Sequence, residues 1–129
     1  MILTVVAAIV RDGDRFLITR RQAGTHLAGL WEFPGGKTAP GETHVEALLR
    51  ELQEELAAHA VVGSLILETR HKYPDREIAL FFYECTLAGA PAAVLGQEMR
   101  WATREELALL EFPPADAELI TLLASTASR

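Results

Sequence analysis

Hydrophobic positions fall into short β-branched runs on either side of one long stretch with helical spacing. Thr4 to Arg11 is rich in valine and alanine with one isoleucine, and predicts a buried strand. Asp12-Gly13 supplies a tight turn, and Arg15 to Arg20 reads as the hairpin partner. Gln22 to Leu30, with two glycines, reads as a loop. Trp31-Glu32-Phe33 is a short extended piece stopped by Pro34-Gly35-Gly36. From Thr43 the period changes. Val45, Leu48, Leu49, Leu52 and Leu56 recur at helical spacing and predict one apolar stripe. Thr43 followed three residues later by Glu46 is a capping-box signature for the start of that helix. Val61 to Arg70 and Glu77 to Leu87 predict two strands joined around Pro74-Asp75. Gly89 to Gln97 reads as a loop, Met99-Arg100-Trp101 as a short strand, and Thr103 with Glu106 as a second capping box. Phe112-Pro113-Pro114 breaks the chain before a last helix from Asp116 to about Ala124, for which Asp116 suits the N-cap. The order predicts an α/β fold, a mixed sheet with helices packed on its faces.

At 129 residues the chain suits one sizeable core, so residues 1–129 read as a single domain. Half of the residues are hydrophobic, as in ordinary globular proteins. The net charge of −6 argues against a nucleic acid polymer as partner, because a phosphate backbone needs a basic footprint. It leaves room for a small anionic substrate, since bound metal ions reverse the charge of a site. Cys85 is the only cysteine and, inside an apolar run, reads as core packing. No basic stretch precedes the first apolar residues, as a signal peptide would require, and Val5 to Val10 is too short to span a bilayer. The expected location is cytoplasmic, with no membrane partner.

The chemistry concentrates on the long helix. At about 100° per residue, Glu51, Glu54 and Glu55 gather on a different side from the apolar stripe. One reading is a solvated polar face. Against it, like charges at this spacing destabilise a helix by roughly 0.2–0.5 kcal/mol per pair. Glu54 and Glu55 also sit in late turns, where the helix dipole favours cations. A bound cation would explain both. Hard divalent ions such as Mg²⁺ take oxygen ligands and bridge to substrate phosphates. Ala47 and Ala58, one turn before Glu51 and after Glu54, leave space beside the carboxylates. His59 reads as a helix-end residue rather than a ligand. Phe33-Pro34-Gly35-Gly36-Lys37 is not a P-loop, because the first glycine of that motif would fall on Trp31.

Gly36, five residues, Glu42, seven residues and then Arg50-Glu51-Leu52-Gln53-Glu54-Glu55 resemble the box of the Nudix family. The likeness is greatest to the MutT branch. Ile18-Thr19-Arg20-Arg21, Trp31-Glu32-Phe33-Pro34-Gly35-Gly36-Lys37, Tyr73-Pro74-Asp75-Arg76 and Phe112-Pro113-Pro114-Ala115-Asp116 resemble segments of that branch in the same order. The resemblance implies an α/β/α sandwich with a mixed sheet. It implies Mg²⁺ as cofactor, with Mn²⁺ as a substitute, held by Glu51, Glu54 and Glu55 with the Gly36 carbonyl. Arg50 would orient Glu51, and Glu42 would hold the loop or assist at the metal. Glu98 stands where the family often supplies a loop glutamate, as ligand or base; the other reading is a solvated loop residue. Arg21, Phe33, Lys37, Tyr73, Asp75 and Asp116 are the candidates for contacts to the substrate. Two positions depart from the pattern. Ala57-Ala58 replaces glycine and an aliphatic residue, and since alanine disfavours the left-handed conformation the helix is expected to run on toward His59 or Ala60. Asp116 stands where the branch has asparagine.

The implied reaction converts a nucleoside triphosphate and water to a monophosphate and pyrophosphate. Glu51, Glu54 or Glu98 would take the proton. The resemblance favours 8-oxo-dGTP as substrate, and the expected working form is a monomer. Hydrolysis of CTP, dCTP or a modified cytosine nucleotide is the alternative within the class. A catalytically silent nucleotide-sensing domain is the alternative outside it; such a domain would have lost box carboxylates, and this chain keeps them all.

Overall fold

The computed structural model describes residues 2–25 and 27–125, so His26, in the predicted Gln22–Leu30 loop, lies outside the described residues. Among the described residues there are seven strands: β1 (Ile2–Asp12), β2 (Arg15–Arg20), β3 (Trp31–Glu32), β4 (Gly35–Lys37), β5 (Ala60–Tyr73), β6 (Arg76–Leu87) and β7 (Met99–Thr103). The α-helices are α1 (His44–Leu56), α2 (Arg104–Leu109) and α3 (Ala117–Ser125). The strands run in the order β3-β2-β1-β6-β5, with β4 also on β1 and β7 on β2. β1 and β6 are parallel, from Ile2 opposite Glu77 to Val10 opposite Cys85, and the other pairs are antiparallel. The sheet is therefore mixed, as expected.

Side chains alternate across a strand, and β1 uses both faces. Val6, Ala8 and Val10 pack with Leu17, Leu48, Leu52, Leu56 and Cys85 in the layer under α1. Ala7 and Ile9 pack with Phe16, Ile18, Phe82, Leu107 and Leu119 in the layer under α2 and α3. An α/β/α sandwich results. Cys85 is buried as predicted, and burial pushes its thiol up to about 12.

Both capping boxes form. Thr43 accepts from the Glu46 N–H while the Glu46 carboxylate accepts from the Thr43 N–H, and Thr103 and Glu106 do the same for α2. The β1–β2 turn is one residue later than predicted: Asp12 is opposite Arg15, and Gly13-Asp14 turns the corner with Gly13 at φ 64°.

Three further expectations are corrected. Val45 and Leu49 are 45% and 37% exposed, and Ala47, fully buried, joins Leu48, Leu52 and Leu56 on the packed face. Ala47 and Ala58 therefore fill the core rather than leaving space beside the acids. α1 does not run on past Leu56. Ala57 takes the left-handed conformation at φ 50°, ψ 37°, in spite of its Cβ; burial of Ala58 in the α1 core and bonds from Ala57 and Ala58 back to the Gln53 and Leu52 carbonyls hold it there. Further along, Pro114–Asp116 forms one 3₁₀ turn, and Asp116 is its last residue, directly before α3.

Candidate active site

β4 is the floor of the site. It pairs with Val5–Ala7 of β1 so closely that a Cβ on Gly35 would lie 2.0 Å from the Val6 carbonyl oxygen. On the next residue, a Cβ at Gly36 would lie 2.5 Å from the Glu51 carboxyl carbon. Two glycines in sequence thus let the backbone approach both a strand and a carboxylate. Glu51 rests on this glycine with only 17% of its side chain exposed. Glu55, one turn further, is hydrogen-bonded to Glu51 and to the Gly35 N–H. Burial, then the bond to Glu51 and the charges of Glu51 and Glu32, hold the Glu55 proton well above the usual carboxylate range. Glu51 and Glu55 are thus partly buried beside the packed face of α1, not on a separate polar side.

Arg50 locks the outer half. Its Nε and Nη2 donate to the two carboxylate oxygens of Glu42 at 2.7 and 2.9 Å, a bidentate pairing. Nη1 donates to Glu51 at 2.9 Å and to Glu54 at 3.3 Å, and Nη2 to the Lys37 carbonyl at 3.1 Å. One guanidinium thus ties α1 to β4 and to the loop between them. The bond from Arg50, with that from the Ala39 N–H, takes Glu42 down to about 2, and the bonds to Glu42 and then to Glu51 raise Arg50. Glu54 is the outermost acid, with 58% of its side chain exposed.

Beside the acids a cavity of about 410 Å³ opens under β1, β4 and β6. Its apolar walls include Leu3, Phe33, Ile78 and Phe82, and its polar groups are Arg21, Glu32, Lys37, Tyr73, Arg76 and Asp116. Phe33 is 4% exposed, stacked on Phe112 with centroids 5.4 Å apart. Tyr73 is hydrogen-bonded to the Ala115 backbone, and burial raises its hydroxyl. Arg21 pairs with Glu32 at 2.7 Å. Asp116 is 6% exposed; burial, and then the charge of Glu32, push it up to about 7 against the pull of Arg21. An aromatic, partly apolar pocket with a few convergent polar groups suits a heterocyclic base.

The structure gathers Gly36, Arg50, Glu51, Glu54 and Glu55 at one place, and Arg21, Phe33, Lys37, Tyr73 and Asp116 around the adjoining cavity. It does not bring two candidates in. Asp75 turns outward in the β5–β6 turn and pairs with Arg76, and of the two it is Arg76 that lines the cavity. Glu98 is 61% exposed in an ion pair with Arg20 at 3.1 Å and lines neither that cavity nor a smaller one of about 120 Å³ beside Glu55. Gln97, its neighbour, lines the smaller one. Sequence reasoning passed over Glu32, whose charge acts on both Glu55 and Asp116. A carboxylate between Trp31 and Phe33 in a short buried strand was its signal.

The donor chemistry fits a hard divalent cation: the Glu51 carboxylate lies against a bare glycine with Glu55 bonded to it, and a cation would relieve that crowding. Among the described residues no three His, Cys, Asp or Glu side chains already converge as a metal-holding group, with Glu54 drawn to Arg50 and Glu98 to Arg20.

A family model described as a NUDIX domain matches residues 5–122. Over 123 residues the chain is 37% identical to the 8-oxo-dGTP diphosphatase of Escherichia coli (strain K12), covering 94% of this chain and 95% of that protein. It is also 37% identical over 128 residues to the CTP pyrophosphohydrolase of the same strain, covering 98% and 93%. Among solved structures, the solution structure of the E. coli ORF135 protein is similar with a TM-score of 0.85 and 35% identity, covering 99% of this chain and 93% of that one. The box read along the sequence, the sandwich that places it against β4 and these likenesses agree: the chain belongs to the Nudix hydrolase family.

Proposed function

We propose that the chain hydrolyses nucleoside triphosphates, with 8-oxo-dGTP as the preferred substrate, releasing the monophosphate and pyrophosphate. The observation that carries this is the juxtaposition of the Glu51–Glu55 pair on Gly36 with an aromatic cavity ending at a buried acid. Nudix hydrolases depend on divalent metals, and Mg²⁺, with Mn²⁺ as substitute, is the ion that Glu51, Glu54 and Glu55 would hold here. When bound it would neutralise phosphate charge and lower the pKa of a water. The protein groups do the rest. Phe33 and the apolar walls receive the base, Asp116 reads its polar edge, and Lys37 and Arg21 face the phosphates from the rim. Arg50 holds Glu51 in its orientation through the bond from Nη1. Water adds across the bridge between the first and second phosphates: its oxygen goes to the phosphorus attacked, the bridging oxygen leaves with the other fragment, and monophosphate and pyrophosphate are released. We also read the protein as a cytoplasmic monomer, working where the nucleotide pool is.

Asp116 supports a second reading. Ionised, a carboxylate only accepts hydrogen bonds and suits the exocyclic amino group of cytosine, in keeping with the likeness to a CTP pyrophosphohydrolase. Protonated, it can donate as well and stand in for asparagine against 8-oxoguanine. A panel of 8-oxo-dGTP, dGTP, CTP and dCTP with Mg²⁺, assayed for pyrophosphate, decides between them. The highest kcat/KM is expected for 8-oxo-dGTP; a cytosine nucleotide in first place supports the second reading, and no release from any of them overturns both.

A further inference from the structure

The last turn of α1 carries Glu54 and Glu55, and its end is held from outside. A helix terminus leaves its final carbonyls without partners inside the helix. Here the segment between β6 and β7 supplies one of them, the Ala92 N–H donating to the Leu56 carbonyl at 2.9 Å, and it also holds the chain just past the helix, the Ala88 N–H donating to the His59 carbonyl at 2.8 Å. The Glu55 carbonyl is taken by a side chain, the Gln97 Nε2, at 2.8 Å. Gln97 is 9% exposed, and its Oε1 accepts the Leu95 N–H at 2.9 Å, so both ends of the buried amide are engaged. On the outer side of the same segment, Gln22 donates to the Leu95 carbonyl and the Arg20 N–H to the Glu98 carbonyl. Gln97 is thus fixed on two sides before it reaches α1.

Ala57 makes this tether matter. An alanine in the left-handed conformation persists only where its surroundings over-determine it. The turn that places Glu55 against Glu51 is therefore set by what grips it, more than by the preference of its own residues.

We propose that Gln97 is a positioning residue for the acid cluster: its amide, bonded to the Glu55 carbonyl, fixes the final turn of α1 and so the carboxylates of Glu54 and Glu55. This rests on the reading of those carboxylates as the metal-holding acids. Gln97→Met keeps the length of the side chain and removes both bonds. Gln97→Glu keeps the acceptor for the Leu95 N–H but sets a carboxylate oxygen against the Glu55 carbonyl.

Gln97→Met is expected to lower kcat about tenfold or more with KM for the nucleotide within about threefold. It is also expected to weaken Mn²⁺ binding to the nucleotide-free protein, read by paramagnetic resonance titration, at least about fivefold. Gln97→Glu separates positioning from electrostatics, because an added negative charge alone would tighten the cation. Weaker Mn²⁺ binding in both variants supports the tether. A lower melting temperature with kcat and Mn²⁺ binding unchanged makes Gln97 a packing residue and overturns the proposal, as does a rise in KM alone. Should both variants fail to fold, the side-chain amide resonances of Gln97 in the wild-type protein decide. They are expected to shift when Mg²⁺ is added, and amides that stay still overturn the tether. If the wild-type protein hydrolyses no nucleotide, the Mn²⁺ titrations and the resonances still report on Gln97 by themselves.

Discussion

Asp116 sits near the midpoint of its titration at neutral pH because burial and Glu32 raise it to about 7 from an ordinary value of 3.8. Its folded-state pKa lies above its unfolded one, so the folded protein binds the extra proton between them, and stability falls as pH rises from about 4 to about 7. Asp116→Asn removes that loss. Its melting temperature is expected to exceed that of the wild type by an amount that grows across this window to at least about 3 °C and then stays level; a difference independent of pH would mean that Asp116 is ionised throughout. The same titration acts on the base. The ratio of kcat/KM for 8-oxo-dGTP to that for dCTP is expected to fall as pH passes through about 7. Asp116→Ala should flatten that ratio more than it lowers the best turnover, and one common factor of loss on 8-oxo-dGTP, dGTP and dCTP would remove Asp116 from the base. Glu54 is a plainer case. Exposed at the rim and, among the described residues, tethered only by Arg50, it has little structural work, yet Glu54→Gln should cut kcat by at least about 10²-fold. Near-normal turnover in that variant, or in EDTA, would sink the metal-dependent reading.

At the C-terminal end of α1, two residues trade stability for placement. Glu55 keeps a proton that solvent would remove at neutral pH, so Glu55→Gln should hold or raise the melting temperature of the metal-free protein while weakening Mg²⁺ binding. A clear destabilisation would give Glu55 a structural partner instead. Ala57 sits in a conformation that costs an L-residue roughly 1–2 kcal/mol. Glycine escapes that cost but loses about 0.5–1 kcal/mol more on ordering. Ala57→Gly is therefore expected to raise the melting temperature by a few degrees, and a fall would show that contacts of the Ala57 methyl outweigh the strain. The same helix shows what was legible in the sequence. Its start was, because Thr43 and Glu46 act locally through each other. Its end was not, because the grip comes from Ala92 and Gln97, far along the chain. That Glu51, Glu54 and Glu55 are neighbours on one helix was legible from spacing, and that Glu51 and Glu55 lie partly buried beside the packed face was not. Their distance from Glu98 was not, because the Arg20 pairing is a tertiary choice. Glu32 was hidden for the same reason, since its influence runs through space to Asp116 and Glu55.

At the scale of the whole molecule, the hairpins β1–β2 and β5–β6 were legible because each is closed by its own turn. The seam between them was not: β1 lies parallel to β6, and nothing in either strand names the other across the intervening helix. That seam has a consequence in time. While the chain is being synthesised, β1 can pair early with β2 and β4, but it waits for its parallel neighbour β6 until α1 and β5 have been made. Until then Val6, Ala8 and Val10 on one side and Ala7 and Ile9 on the other have no finished layer to cover them. Sheets closed by distant partners fold slowly, on the millisecond-to-second scale rather than in microseconds. The box helix, capped by its own residues, is made in that interval, and its carboxylates meet Gly36 only when the sheet beneath them is complete.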